Sequence, residues 1–271
     1  MNQAQLREIA AQTIAIGESG RYTTADGKAV DITASVRASR QQTRVVGFEG
    51  LAGLDTRPGP PARVLVVPET TLDAAESLAQ HTGRTPAILV FASAKHPGGG
   101  FRNGMMAQEE DIAYRSALYT ALTSRPEYYS ESSNNLNGSL YFDKAIHSPA
   151  VPVIRNRDYE LFTPWLCDMV TAPAPNRGAV LAKGGTDEAV DKAMGRRIDL
   201  VLRVLAAAGT KDIVLGAFGC GVFRNRPDLV ARLFQTGLRA LGGCFETVIF
   251  AIPGQQTPNY QAFLSTFPPG E

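Results

Sequence analysis

A chain of 271 residues is long enough for one large domain or two small ones, and its 44% hydrophobic and 20% charged content excludes the low-hydrophobicity, high-charge regime of disorder. With 27 basic and 26 acidic side chains the formal net charge is +1, so no overall field draws the chain toward nucleic acid or an anionic membrane, and an anionic ligand has to be held locally. Cys167, Cys220 and Cys244 are odd in number and form no CxxC pair, which argues against a disulfide framework and a cysteine-rich zinc site and fits a reducing cytoplasm.

In chain order, Leu6, Ile9, Ala10, Thr13 and Ile14 recur at helical spacing, so a helix is predicted from Gln3 to Ile16 with Gly17 as its stop. The N-terminus lacks the basic region and apolar run of a secretory signal, and no stretch approaches ~18 apolar residues, so neither export nor a membrane span is expected. Residues Tyr22 to Leu54 are polar and mixed, and with the Pro-rich stretch Arg57 to Pro61 they read as a connection between an accessory segment, 1–60, packed on the core, and the core itself, 61–271, in one structural domain. From Arg63 the pattern turns regular. RVLVVPE reads as a strand, TLDAAESLAQ as a helix capped by Thr70 or Thr71, and AILVFAS, 87–93, as a buried strand. A helix is predicted over Glu109–Leu122, strands over Ala145–Ile154 and Leu166–Thr171, and a long helix over Thr186–Ala208. The strand DIVLGAFG, the helix Pro227–Leu241 and the strand ETVIFAIP follow. Strands alternating with helices of these lengths imply an α/β fold with a largely parallel sheet covered on both faces.

In such sheets ligands sit beyond the carboxyl ends of the strands. Two loops there are rich in glycine: KHPGGGFRNGMMAQEE, 95–110, after the AILVFAS strand, and GAFGCGVFRN, 216–225, before the helix opened by Pro227. Glycine permits positive φ and lets backbone amides approach a ligand, which suits a diphosphate. Such clusters are also common as plain tight turns; here two occur together. Neither carries GxxxxGK[ST], nor GxGxxG with an acidic residue about 20 positions on, so a P-loop or Rossmann enzyme lacks its residues. The acidic turn QEED, Gln108–Asp111, would be stabilised by the helix dipole alone, but it follows the triple glycine directly and so faces whatever that loop holds.

These residues resemble the bacterial-type poly(ADP-ribose) glycohydrolases, whose signature is a GGG triplet, a spacer and QEE: here Gly98, Gly99 and Gly100, then FRNGMMA, then Gln108, Glu109 and Glu110. The loop GAFGCGVFRN resembles the diphosphate and ribose loop of the macrodomain, and TAPAPN, Thr171–Asn176, also resembles family sequence. The N-terminal helix and the segment after it resemble the accessory region ahead of the core in this group.

The resemblance implies a three-layer α/β/α macrodomain with a mixed, largely parallel central sheet and an N-terminal helical extension. It implies hydrolysis of the ribose–ribose bonds of poly(ADP-ribose), with Glu110 as catalytic acid and Glu109 helping to hold the ribose hydroxyls. Gly98, Gly99, Gly100 and Gln108 would line the distal ribose and diphosphate. Gly219, Cys220, Gly221 and Val222 would offer backbone donors to the diphosphate, and Phe223 would pack on the distal ribose. Ser93 stands where many macrodomains carry Asn, and Phe101 and Thr171 to Pro173 are candidates for the adenine pocket. The implied partners are poly(ADP-ribose), ADP-ribose and ADP-ribosylated proteins, without membrane or sequence-specific nucleic-acid binding. Two further readings use the same residues: an ADP-ribose receptor without activity, and a hydrolase of single ADP-ribose groups on proteins or nucleic acid. No cofactor or metal is expected, because His81, His96 and His147 are scattered along the chain. Turnover should therefore persist in excess EDTA; loss restored by Mg²⁺ would point to a metal-dependent ADP-ribosyl hydrolase instead.

Overall fold

The computed structural model describes residues 1–51, 59–134 and 137–269. Helix α1 (Gln3–Ser19) opens on a reciprocal cap, in which the Asn2 side chain accepts the Gln5 amide at 3.0 Å and the Gln5 side chain accepts the Asn2 amide at 2.8 Å. Gly17 does not stop it. The stop is Gly20, with φ 71°, whereas Gly17 is buried inside the helix where a Cβ would overlap the Thr120 side chain. That glycine serves close packing.

The stretch read as a connection instead holds a small hairpin, β1 (Arg21–Thr23) with β2 (Ala29–Asp31), then α2 (Thr33–Gln42) and β3 (Arg44–Gly47). Its elements were hidden because the strands are only three or four residues long and α2 buries just Val36 and Ser39, leaving no apolar stripe to read. The Pro-rich stretch 57–61 lies partly outside the described residues.

The regular part follows in order: β4 (Arg63–Val67), α3 (Thr71–Thr82), β5 (Ala87–Phe91), α4 (Gln108–Arg115), α5 (Leu118–Leu122), α6 (Pro126–Asn134), β6 (Lys144–Arg155), β7 (Leu161–Ala172), α7 (Arg177–Ala182), α8 (Asp187–Ala207), β8 (Asp212–Leu215), α9 (Pro227–Leu241), β9 (Thr247–Ala251) and α10 (Pro258–Thr266). Thr70 caps α3 through the Asp73 amide. The helix expected over Glu109–Leu122 is broken, because Ser116 adopts an extended conformation and bridges Val153 of β6 while the Ala117 amide bonds the Pro152 carbonyl. A sheet edge competes for that backbone and wins.

The main sheet has the strand order β3-β6-β7-β5-β8-β9-β4. Strands β7, β5, β8, β9 and β4 run parallel, β6 runs antiparallel to β7, and β3 antiparallel to β6. One face buries Leu89, Val170 and Phe250 against Ile198 and Leu205 of α8 and Phe234 of α9. The other buries Ile88, Val90 and Met169 against Leu72 and Leu78 of α3 and Leu118 of α5. Each such side chain contributes roughly 1.5–3 kcal/mol of transfer free energy, and helices on both faces follow from the continuous runs AILV of β5 and IVL of β8, whose residues are buried on either side of the sheet. Register then fixes the site. Phe91 lies opposite Ala172 and Ile88 opposite Val214, so β7, β5 and β8 end side by side and release three loops along one edge.

Candidate active site

The loop after β5 is pinned from inside and outside. Gly98 and Gly99 take φ 70° and 61°, and Phe101, fully buried, places its ring 5.6 Å from that of Tyr114 and 5.0 Å from that of Tyr119. The Tyr114 hydroxyl donates to the Phe101 carbonyl, and Gln3 of α1 donates at 3.0 Å to the Asn103 carbonyl. Phe101 is therefore a wedge beneath the loop, packed on Tyr114 and Tyr119. Ser93 turns inward too: its hydroxyl accepts the Lys95 and His96 amides, both at 3.2 Å.

Three consecutive carboxylates open α4, and successive residues on a helix point about 100° apart. Glu109 turns under the end of β5, almost wholly buried, and its Oε2 accepts the Ser93 amide at 2.6 Å. Glu110, half-buried, places Oε1 2.8 Å from the Gly100 amide. Asp111 faces away, accepting the Tyr159 hydroxyl at 2.5 Å and lying 3.5 Å from the Arg115 guanidinium. Both oxygens of the first pair crowd Gly99, where a Cβ would overlap Oε1 of Glu110 and come 2.9 Å from Oε2 of Glu109. Gly99 lets the loop touch both carboxyls.

Burial pushes the Glu109 carboxyl well above its ordinary 4.5, the Ser93, Gly98 and Gly99 amides oppose that shift, and the charge of Glu110 adds to it. Because the folded state holds this proton at pH values where the unfolded chain has released it, stability is full below the ordinary value and falls as pH rises from there toward the folded value. Glu109→Gln keeps an acceptor for Ser93 but removes the proton, so the fall in the urea midpoint between pH 5 and pH 7.5 should shrink relative to wild type; equal slopes would reject Glu109 as its source.

Gln108, expected among the ligand residues, is committed elsewhere. Its amide accepts the Phe91 N–H at 2.8 Å and donates to the Leu89 carbonyl at 2.7 Å and the Thr71 hydroxyl at 3.1 Å, tying α4 to β5 and α3. Thr171 lies near the end of β7, fully buried, and its hydroxyl has no hydrogen-bond partner among the described residues.

The loop after β8 turns at Gly219, φ 71°, where a Cβ would come 2.5 Å from Ala174 and 2.7 Å from the Asn225 amide nitrogen. That buried amide donates to the carbonyls of Gly219 and Pro175, closing the second loop onto the third. Gly221 and Val222 form an exposed tip, Cys220 is half-buried with its thiol raised to about 12 by burial, and the Phe223 ring lies 6.3 Å from that of Tyr141. Arg197 of α8, completely buried, donates to the Pro173 carbonyl and, at 3.3 Å, to the Leu140 carbonyl and Asp143. Arg197 and Asn225 were not singled out from the sequence. The signal for Arg197 was a charge on the stripe Val190, Ala193, Met194, Ile198 and Val201, which must be paired if it is buried.

Two glycine-rich turns and a carboxyl pair, Glu109 buried and Glu110 half-buried, set at the edge of the central sheet of a three-layer fold, define a macrodomain-like hydrolase. Residues 10–156 match the family model described as microbial-type PARG, catalytic domain. The chain superposes on the crystal structure of poly(ADP-ribose) glycohydrolase from Thermomonospora curvata with TM-score 0.90 and 39% identity, covering 97% of this chain and 100% of that one. The same enzyme bound to the inhibitor ADP-HPD gives TM-score 0.89, 38% identity and coverage of 97% and 100%. The enzyme from Deinococcus radiodurans in complex with ADP-ribose gives 0.79, 38% and coverage of 88% and 98%. No curated protein sequence matches. The chain belongs to the microbial-type poly(ADP-ribose) glycohydrolase family. The match begins at residue 10, so likeness extends into the N-terminal segment as well as the core.

Proposed function

We propose that the chain releases ADP-ribose from poly(ADP-ribose) by hydrolysing its ribose–ribose O-glycosidic bonds, with Glu110 transferring the proton. The observation that carries the assignment is the Gly100 amide held 2.8 Å from Glu110 Oε1, which binds the carboxyl to the glycine loop and leaves Oε2 for the reacting oxygen. Cleavage between C1 of one ribose and the oxygen of its neighbour leaves an alkoxide unless protonated. Glu110 donates that proton as the bond breaks, and the resulting carboxylate takes a proton from the water that adds to the oxocarbenium-like carbon. The water's remaining hydroxyl stays on C1, and Glu110 regains its starting state. The diphosphate, folded over the loops, offsets the positive charge on the sugar.

Glu109 is read as a supporting residue. Its Oε1 is buried with no hydrogen-bond partner among the described residues, which supports a role in receiving a ribose hydroxyl. Gly219, Cys220, Gly221 and Val222 are read as amide donors to the diphosphate, and Phe223 as the face against the distal ribose. The ADP-ribose and ADP-HPD complexes of the two relatives support ADP-ribose as the bound unit. Pairing of β3 with β6 supports a single structural domain that includes the accessory segment, since residues before 60 complete the sheet. Three free thiols support work in a reducing cytoplasm, and no helix among the described residues is long and apolar enough to cross a membrane. Incubation with poly(ADP-ribose) should release free ADP-ribose on anion-exchange chromatography; tight binding without product would make the chain a receptor.

A further inference from the structure

We propose a second anion site, remote from the glycine loops, where the C-terminal end of α1 meets α2, and assign to it the diphosphate of a poly(ADP-ribose) unit beyond the one being cleaved. The proposal rests on the substrate reading above. A cavity of about 440 Å³ opens between Gly17 of α1 and the Gly20 that caps it, Arg37 and Arg40 of α2, and Arg125 between α5 and α6. Three guanidinium groups line it against one carboxylate, Glu18, in a chain whose net charge is only +1. Among the described residues none of the three arginines has a carboxylate within ion-pair distance, although Arg21 nearby is paired with Asp31 at 3.0 Å.

Simple helix electrostatics explains only part of this. Arg40 sits in the last turn of α2 and Arg125 just past the end of α5, where cations complement the helix dipoles, but Arg37 lies a turn earlier and is not accounted for in that way. The Arg125 guanidinium is fixed at the rim by a 2.7 Å bond to the Ser124 carbonyl. Of the carbonyls at the end of α1 that would repel an anion, that of Ile16 is engaged by the Gly20 amide, and the carbonyl of Gly20 just beyond the helix accepts the Ile32 amide. Like charges gathered on one hollow repel unless an anion joins them, and a guanidinium fork matches phosphate oxygens in pairs.

The position of the cavity selects the ligand. At its other end α1 meets the first glycine loop, through the Gln3 bond to Asn103 and the backbone of Gln3 against Gly104. A helix rises about 1.5 Å per residue, so the cavity and that loop stand on the order of 20 Å apart on one rigid rod. A single ADP-ribose unit seated in the loops leaves the cavity empty, whereas a polymer carrying two phosphates per repeat can occupy both. Joining the two contacts in one chain strengthens binding of long polymers without altering the chemistry.

The test is the double variant Arg37→Gln, Arg40→Gln, two exposed side chains whose loss leaves the core intact. For long poly(ADP-ribose) KM should rise about tenfold with kcat unchanged, and for the shortest substrate with one scissile bond both constants should stay at wild-type values. Long-chain affinity should also become less salt-dependent, by about one in the log–log slope. Unchanged KM on long polymer, or an equal loss on long and short substrates, overturns the site. Competition by single-stranded RNA at equal affinity overturns the assignment to poly(ADP-ribose). Polymer binding that depends on Arg37 and Arg40 in a wild-type chain that releases no ADP-ribose sustains the site and refutes the glycohydrolase reading instead.

Discussion

Glu110→Gln should lower kcat on poly(ADP-ribose) by three orders of magnitude or more while ADP-ribose still binds within a few-fold of wild type. The amide side chain keeps an acceptor for the Gly100 N–H, 2.8 Å from the native oxygen, so the loop and its ligand geometry are retained. What disappears is the transferable proton. General acid–base catalysis is worth typically 10²–10⁴-fold, and here one carboxyl serves the step that expels the alkoxide and the step that activates water. Single-turnover release of ADP-ribose, read beside calorimetric binding of ADP-ribose, separates the two. Wild-type-like turnover would remove Glu110 from the mechanism, and lost binding with proportionate loss of rate would make it a ligand residue.

Gly99→Ala should be nearly as damaging, and for a geometric reason. The new methyl would overlap Oε1 of Glu110 and press on Oε2 of Glu109, so both carboxyls have to move together. A displacement of about 1 Å at a reacting group can cost 10²-fold in rate. The substitution also forces a Cβ into φ +61°, a left-handed conformation that costs roughly 1–2 kcal/mol for a residue other than glycine. The expected result is a hundredfold or greater loss of kcat with a moderately lower urea midpoint. Gly83→Ala supplies the comparison, since Gly83 has φ +68° and open space around its Cβ, so it should show the backbone cost without the kinetic one.

Much of this site was legible in the residues themselves. The GGG and QEE segments and their spacing marked a loop and a helix start that the fold brings into contact, and the alternation of apolar runs gave β4, α3, β5, α8, α9 and β9 close to their observed limits. Local signals suffice for such features because a cap, a period or a positive φ is decided by neighbours in the chain. The segment Tyr22–Leu54 was misread for the opposite reason: β3 is a strand because β6 offers it a partner, and four residues carry too little pattern of their own.

The sequence by itself determined that three carboxylates follow a glycine-rich turn and that, on a helix, they diverge. Only the tertiary structure decided where each one points, because rotation of α4 about its axis is set by distant partners: Arg115 to Asp73 of α3 at 2.8 Å, Asp111 to Tyr159, and Gln108 to β5. The same long-range packing buried Phe101 and Thr171, tied Gln108 to β5 and α3, and turned the N-terminal helix into a brace for the glycine loop. Those outcomes depend on which surfaces meet across the fold, and the chemistry of a residue and its immediate neighbours does not contain that information.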